Sequence, residues 1–197
     1  MKRITILLLC LFIFTGCTVV RIDTKSIDNI LSVVLSKNNT VYNRVGKGYK
    51  YYVPRGVTYM DTADLNDVLY SDGNYYYVYI DAVSYYYKKK VPYEENNKSY
   101  YSKKIDGKKS GYLEINKLKN GKYKIEFVYN YAKIEAIVNK EEINDVVLNA
   151  TYILSTVKFN DNIISLMLKE DYFTNKEERY ERFLPKSNTD TKKIGSN

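Results

Sequence analysis

The 197-residue chain has no histidine, and its only cysteines, Cys10 and Cys17, lie within the first 17 residues. Each absence removes a class of chemistry. Without histidine there is no Ser-His-Asp or Cys-His nucleophilic system, no imidazole metal ligand and no ordinary switch near neutral pH. From residue 18 onward no thiolate is present for zinc or iron–sulfur binding and no disulfide can form. A domain built there is held by its apolar core. Arginine is scarce, six residues against 25 lysines, which disfavours the bidentate contacts used on nucleic acid. Any enzyme would have to rely on carboxylates, Lys, Tyr or Ser/Thr. The best carboxylate cluster is Asp61, Asp64 and Asp67. It lacks the alternating ligands, turn glycine and closing Glu of an EF-hand loop, and it reads as a solvated loop with capping or turn aspartates. Val45-Gly46-Lys47-Gly48 has no phosphate-loop spacing and reads as a turn. No enzyme, metal or cofactor is expected.

What is present begins at the N-terminus. Lys2-Arg3 precedes the apolar run Ile4–Thr15, which is followed by Gly16-Cys17. A charged start, a short apolar stretch and a small residue before the break form a secretory signal layout. Phe14-Thr15-Gly16-Cys17 resembles the lipobox of bacterial lipoproteins, with Phe14 where the family usually has Leu. The resemblance implies cleavage after Gly16 and lipid on the Cys17 thiol. It also implies a place on the outer face of a cytoplasmic membrane. A cleaved signal without lipid is one alternative, and an uncleaved anchor is another. The twelve residues Ile4–Thr15 reach about 18 Å as a helix, well short of the roughly 30 Å hydrocarbon core. Residues 17–24 would form a short tether, so the domain should sit low over the bilayer.

Residues 25–174 read as one α+β domain with a largely antiparallel sheet built from hairpins and two helices packed on it. Ile27, Ile30, Leu31, Val34 and Leu35 predict a helix over 25–36, capped by Thr24. Strands are predicted at 49–53, 57–60, 67–70, 75–87, 112–118, 122–131 and 134–138. Asp72-Gly73 and Asn120-Gly121 signal tight hairpins. Asn139 and Glu142 start a second helix over 140–155 in a capping-box pattern. Residues 163–168 read as a closing strand, 88–109 as a polar connection without period, and 175–197 as a polar tail.

Two features point toward function. Residues 88–124 hold twelve lysines against four carboxylates, while the remainder of the chain from Cys17 onward is net −2. Lys88, Lys89, Lys90, Lys103, Lys104, Lys108 and Lys109 are therefore candidates for contact with an anionic wall polymer or lipid headgroups. The second feature is 23 tyrosines, of which Tyr75, Tyr77 and Tyr79 share one face of a strand and are candidate aromatic contacts. The expectation is a non-enzymatic, lipid-anchored envelope protein that meets wall polymer, lipid or a membrane protein, and not nucleic acid. One alternative is an accessory factor that binds a protein partner through the Tyr-rich strand. Another is a carboxylate-based hydrolase around Asp61–Asp67.

Overall fold

The computed structural model describes residues 22–63 and 65–169. The signal segment with Gly16 and Cys17, Asp64, and the tail from 175 all lie outside them. The fold is α+β. In chain order its elements are α1 (Ile27–Leu35), β1 (Arg44–Val45), β2 (Tyr49–Tyr51), β3 (Thr58–Ala63), β4 (Asn66–Ser71), β5 (Asn74–Ile80) and α2 (Ala82–Tyr86). Next come β6 (Tyr101–Ile105), β7 (Gly111–Lys117), β8 (Tyr123–Tyr129) and β9 (Ala132–Val138). A 3-10 turn (Lys140–Glu142) then leads into α3 (Ile143–Thr156), β10 (Lys158–Phe159) and α4 (Asp161–Lys169).

Seven strands form one antiparallel sheet in the order β3-β4-β5-β9-β8-β7-β6, and β1-β2-β10 form a small second sheet. Alternation decides which side of the large sheet is core. Tyr76, Val78, Ile80, Ile125, Phe127, Ile134, Ala136 and Leu113 face inward and are buried. Against them lies α3, through Ile143, Val146, Val147, Ala150, Ile153 and Leu154, and α1 packs on α3. Ile22, ahead of α1, already rests against this core.

The two expected hairpins are present. Asp72 and Gly73 both take positive φ (48° and 83°) between paired Ser71 and Asn74, a two-residue turn matched to strand twist. At the other, the Leu118 N–H donates to the Lys122 carbonyl (2.8 Å), closing a three-residue loop with Gly121 at φ 83°. The capping interaction before α3 is also present, the Asn139 N–H donating to Glu142 Oε2 at 3.0 Å. Ser26 caps α1 in place of Thr24, its side chain accepting from the Asn29 N–H.

Several expectations are corrected. Among the described residues two helices become four. The long strand over 75–87 ends at Ile80, because the Asp81 carboxylate accepts the Ser84 N–H (2.8 Å) and starts α2. The strand over 122–131 turns at Asn130-Tyr131, both at positive φ (53° and 60°), and β9 begins at Ala132. The left-handed Asn130 is locked by its side-chain amide donating to the Val157 carbonyl (2.9 Å). Residues 163–168 are helical: the Asn160 side chain accepts the Ile163 N–H (3.2 Å), and Ile164 and Met167, three apart, are the buried positions. Alternation and helical spacing are both readable in so short an apolar run, and the cap decides.

The polar connection 88–109 contains strand β6 and is pinned to the large sheet. The Tyr93 ring lies parallel to Tyr112 at 3.9 Å, and its hydroxyl meets Ser102 (2.7 Å) and Glu114 (2.8 Å). The Lys104 N–H, on the outer edge of β6, is taken by Glu95 Oε1 (2.8 Å). That covers one edge of the sheet. At the other edge, β3 carries a bulge between Tyr59 and Asp61, which disfavours further pairing.

Candidate functional site

The lysines of 88–109 diverge. Lys103, on the inner side of β6, is ion-paired with Asp28 of α1, while Lys104 on the opposite side pairs with Asp106 (3.4 Å). Lys109 is half-buried and donates to the Ser155 carbonyl at the end of α3 (3.1 Å); burial, and then the neighbouring Lys158, lower its pKa. Lys88 lies over the Tyr85 ring (3.7 Å) and Lys89 near the Tyr87 ring (5.8 Å). Lys90 and Lys108 are exposed. Charge that is dense along the chain is thus spread over several sides of the domain.

The tyrosines divide similarly. Tyr75 is exposed and Tyr77 half-exposed on the open face of the large sheet, their rings 6.5 Å apart. Tyr79 is fully buried beneath Lys133, whose ammonium lies 4.6 Å from the ring centroid. It offers no surface. Strand β5 is bonded on both sides, to β4 and β9, so it has no free edge for pairing with another chain. Beyond the tyrosines the open face carries Glu114, Glu126 and Glu135 opposite one another on β7, β8 and β9. Lys124 bridges Glu126 (3.3 Å) and Glu135 (3.5 Å), and Lys133 adds a contact to Glu135 (3.0 Å). The lysines of this face are taken up by Glu126 and Glu135, and Glu114 is held by neutral donors.

Asp67 lies on β4, where a strand was expected over 67–70, but it is 1% exposed, not solvated as the carboxylate cluster was expected to be, whereas Asp61 is exposed on β3. The Asp67 carboxylate accepts from the hydroxyls of Tyr51 (2.6 Å), Tyr49 (3.2 Å) and Thr62, and from Arg44 (3.5 Å). Burial, then the Asp67 charge, pushes both tyrosines well above their ordinary value and keeps them protonated donors. With its lone pairs taken up, Asp67 stitches the small sheet to the large one. Among the described residues no three carboxylates converge as metal ligands.

Like charge also meets on the outer side of the small sheet. Val45, Lys50 and Lys158 are register partners across β1, β2 and β10, so all three side chains project from one face. Directly opposed like charges destabilise a sheet. Neither lysine has an acidic partner within ion-pair distance among the described residues. Lys50 is held over the Tyr42 ring at 3.9 Å. Around this row runs an open groove of about 590 Å³, lined also by Phe159, Asn160, Asn162 and Ile163. No family model matches the chain, and no curated protein or solved structure matches it. The site must therefore be argued from its own chemistry. The sequence reading missed Lys50 and Lys158 because they are 108 positions apart and meet only through the β2–β10 pairing. The available signal was weak: two short segments, each carrying a lysine beside an aromatic residue.

Proposed function

We propose that the protein is a non-enzymatic, lipid-anchored component of the cell envelope. In this reading acylated Cys17 holds the α+β domain on the outer face of the cytoplasmic membrane, where it binds an anionic envelope constituent. The observation that carries the reading is the spacing between the lipobox-like Cys17 and the packed Ile22. Only residues 18–21 separate the lipid site from the folded core, a reach of about 18 Å at full extension. So short a link suits a domain built to work against a membrane. The engaged Asp67 supports a binding role over carboxylate chemistry at Asp61–Asp67.

Metabolic labelling with an alkyne-tagged fatty acid tests the anchor. The wild-type chain is expected to take up label and sediment with membranes through a high-salt wash. The Cys17→Ala variant is expected to take up none. Unlabelled wild-type protein would sink the reading. A second reading, docking of a protein partner, is favoured by the exposed Tyr75 ring beside Tyr77 on the open face. It predicts a complex that survives high salt and is lost on Tyr75→Ala.

A further inference from the structure

The Val45–Lys50–Lys158 row is the surface whose chemistry remains unanswered within the chain. We propose that this row, with Tyr42, is a binding strip for a phosphodiester-linked polyanion of the envelope. The inference deepens the envelope reading and rests on it for the source of the polymer.

Three observations support it. First, opposed residues of an antiparallel pair stand with Cβ atoms about 5 Å apart. Lys50 and Lys158 are such a pair and have no intervening acid. Lys109 adds to the field, since its own charge is disfavoured by Lys158. A bound anion relieves that repulsion, and lysine suits phosphate as a compact point charge. Asp161 also lines the groove and keeps its negative charge while accepting from the Tyr85 hydroxyl, so Lys50 and Lys158 outnumber it there.

Second, the groove is open and mixed in character. Tyr42, Val45 and Ile163 are exposed beside the lysines, at 50%, 65% and 39%. A chain that alternates phosphates with carbon-rich links offers both kinds of contact. A free inorganic ion would use the lysines alone.

Third, the strip lies near the opposite end of α3 from the point where the chain enters the domain. Lys25, Ile27 and Asp28 share a cleft with Lys140, Glu141, Ile143 and Asn144, so the chain enters the domain beside the start of α3. Lys158 follows the end of that 14-residue helix, about 21 Å along its axis. A surface at that end reaches outward to wall polymer more readily than back to the headgroups below.

The test is titration of the full-length chain in neutral detergent with a fluorescent glycerol-phosphate oligomer. Binding should fall steeply with salt. Lys50→Gln and Lys158→Gln should each weaken it about fivefold, and the double variant about 25-fold. The triple variant K88Q/K89Q/K90Q should weaken binding less than either single strip variant, since Lys88 approaches the groove only from behind the Tyr85 ring stacked on Phe159 (4.0 Å). The double variant should melt no lower than wild type, because an opposed pair of charges has gone, which separates lost binding from lost fold. An unchanged double variant, or loss confined to the Lys88–Lys90 variant, overturns the assignment. A lipid source is tested by reconstituting the chain into phosphatidylglycerol or phosphatidylcholine vesicles. Equal oligomer affinity in both supports the polymer, whereas loss in phosphatidylglycerol alone means that the strip takes headgroups and overturns it. Failure of the anchor itself appears separately, in the fatty-acid labelling of Cys17.

Discussion

Asp67 gathers donors from three strands, Arg44 of β1, Tyr49 and Tyr51 of β2, and Thr62 of β3. Removing the carboxylate strands two buried hydroxyls and a guanidinium whose Nε already has no partner. Asp67→Ala should therefore cost about 3–5 kcal/mol, read by chemical denaturation. Asp67→Asn, which keeps one acceptor oxygen, should cost less; equal losses would contradict this account of the cluster. Glu114 makes a milder case on the open face. The Asn116 amide, then Tyr93, Ser99 and Asn96, hold its carboxyl below the ordinary glutamate range. A group depressed in the folded state stabilises above its unfolded pKa of about 4.3 and loses that contribution as pH falls through the folded value. The 93–99 segment should thus loosen on the acid side first. Faster amide exchange there below about pH 4, matched at neutral pH by Glu114→Gln, would show it. Neither carboxylate was identifiable from its neighbours in the chain, because every donor except Thr62 and Asn116 comes from at least fifteen residues away.

At the scale of elements, local chemistry was legible wherever one residue type dictates one backbone state. Asp72-Gly73 and Asn120-Gly121 announce their turns because their glycines sit at positive φ. Asn130-Tyr131 adopts the same left-handed state without glycine. It is held by Asn130 bonding to Val157 and by the Tyr131 ring packed edge-on against Tyr85 (5.6 Å) and Phe159 (6.4 Å). Those are tertiary contacts, invisible to a short window. The boundary of β5 and the helical state of 161–169 were missed for a related reason: a capping side chain outweighed an apolar pattern that fitted a strand. Two glycines separate the mechanisms experimentally. At Gly111 a Cβ would stand 1.9 Å from the Val128 carbonyl oxygen, at the first pair of the β7–β8 ladder. At Gly73 it would meet open space, and only the positive φ opposes it. Gly111→Ala should cost about 3 kcal/mol or more, and Gly73→Ala about 1 kcal/mol. Comparable losses in the two denaturation midpoints would mean that β7 can shift sideways to make room.

For the molecule as a whole, charge density along the chain and charge density in space are different quantities. The lysine-rich stretch 88–109 folds into a loop, an edge strand and a turn, and these send Lys103 and Lys104 to opposite sides of one sheet. The strip that does concentrate charge draws on β1, β2 and β10, each of two or three residues. Strands so short have no period, and their pairing depends on α3 bringing residue 158 back to residue 50. The anchor end shows the reverse. The lipobox-like residues that would carry it are contiguous, Phe14–Cys17, and on the proposed reading Ile22 would limit the slack between lipid and domain. On the proposed anchoring, exposed Lys25 lies within about 30 Å of the bilayer even with the intervening residues fully extended. That is too close for a globular protease to engage the backbone freely. Trypsin added to spheroplasts should cut slowly at Lys25 in the wild type. Twelve Gly/Ser residues inserted after Cys17 would add about 20 Å of root-mean-square reach and should speed the cut severalfold, while cleavage at the far-end Lys47 stays unchanged. Equal rates at Lys25 with and without the insert would mean that the domain stands clear of the membrane, and the short tether would then have no mechanical consequence.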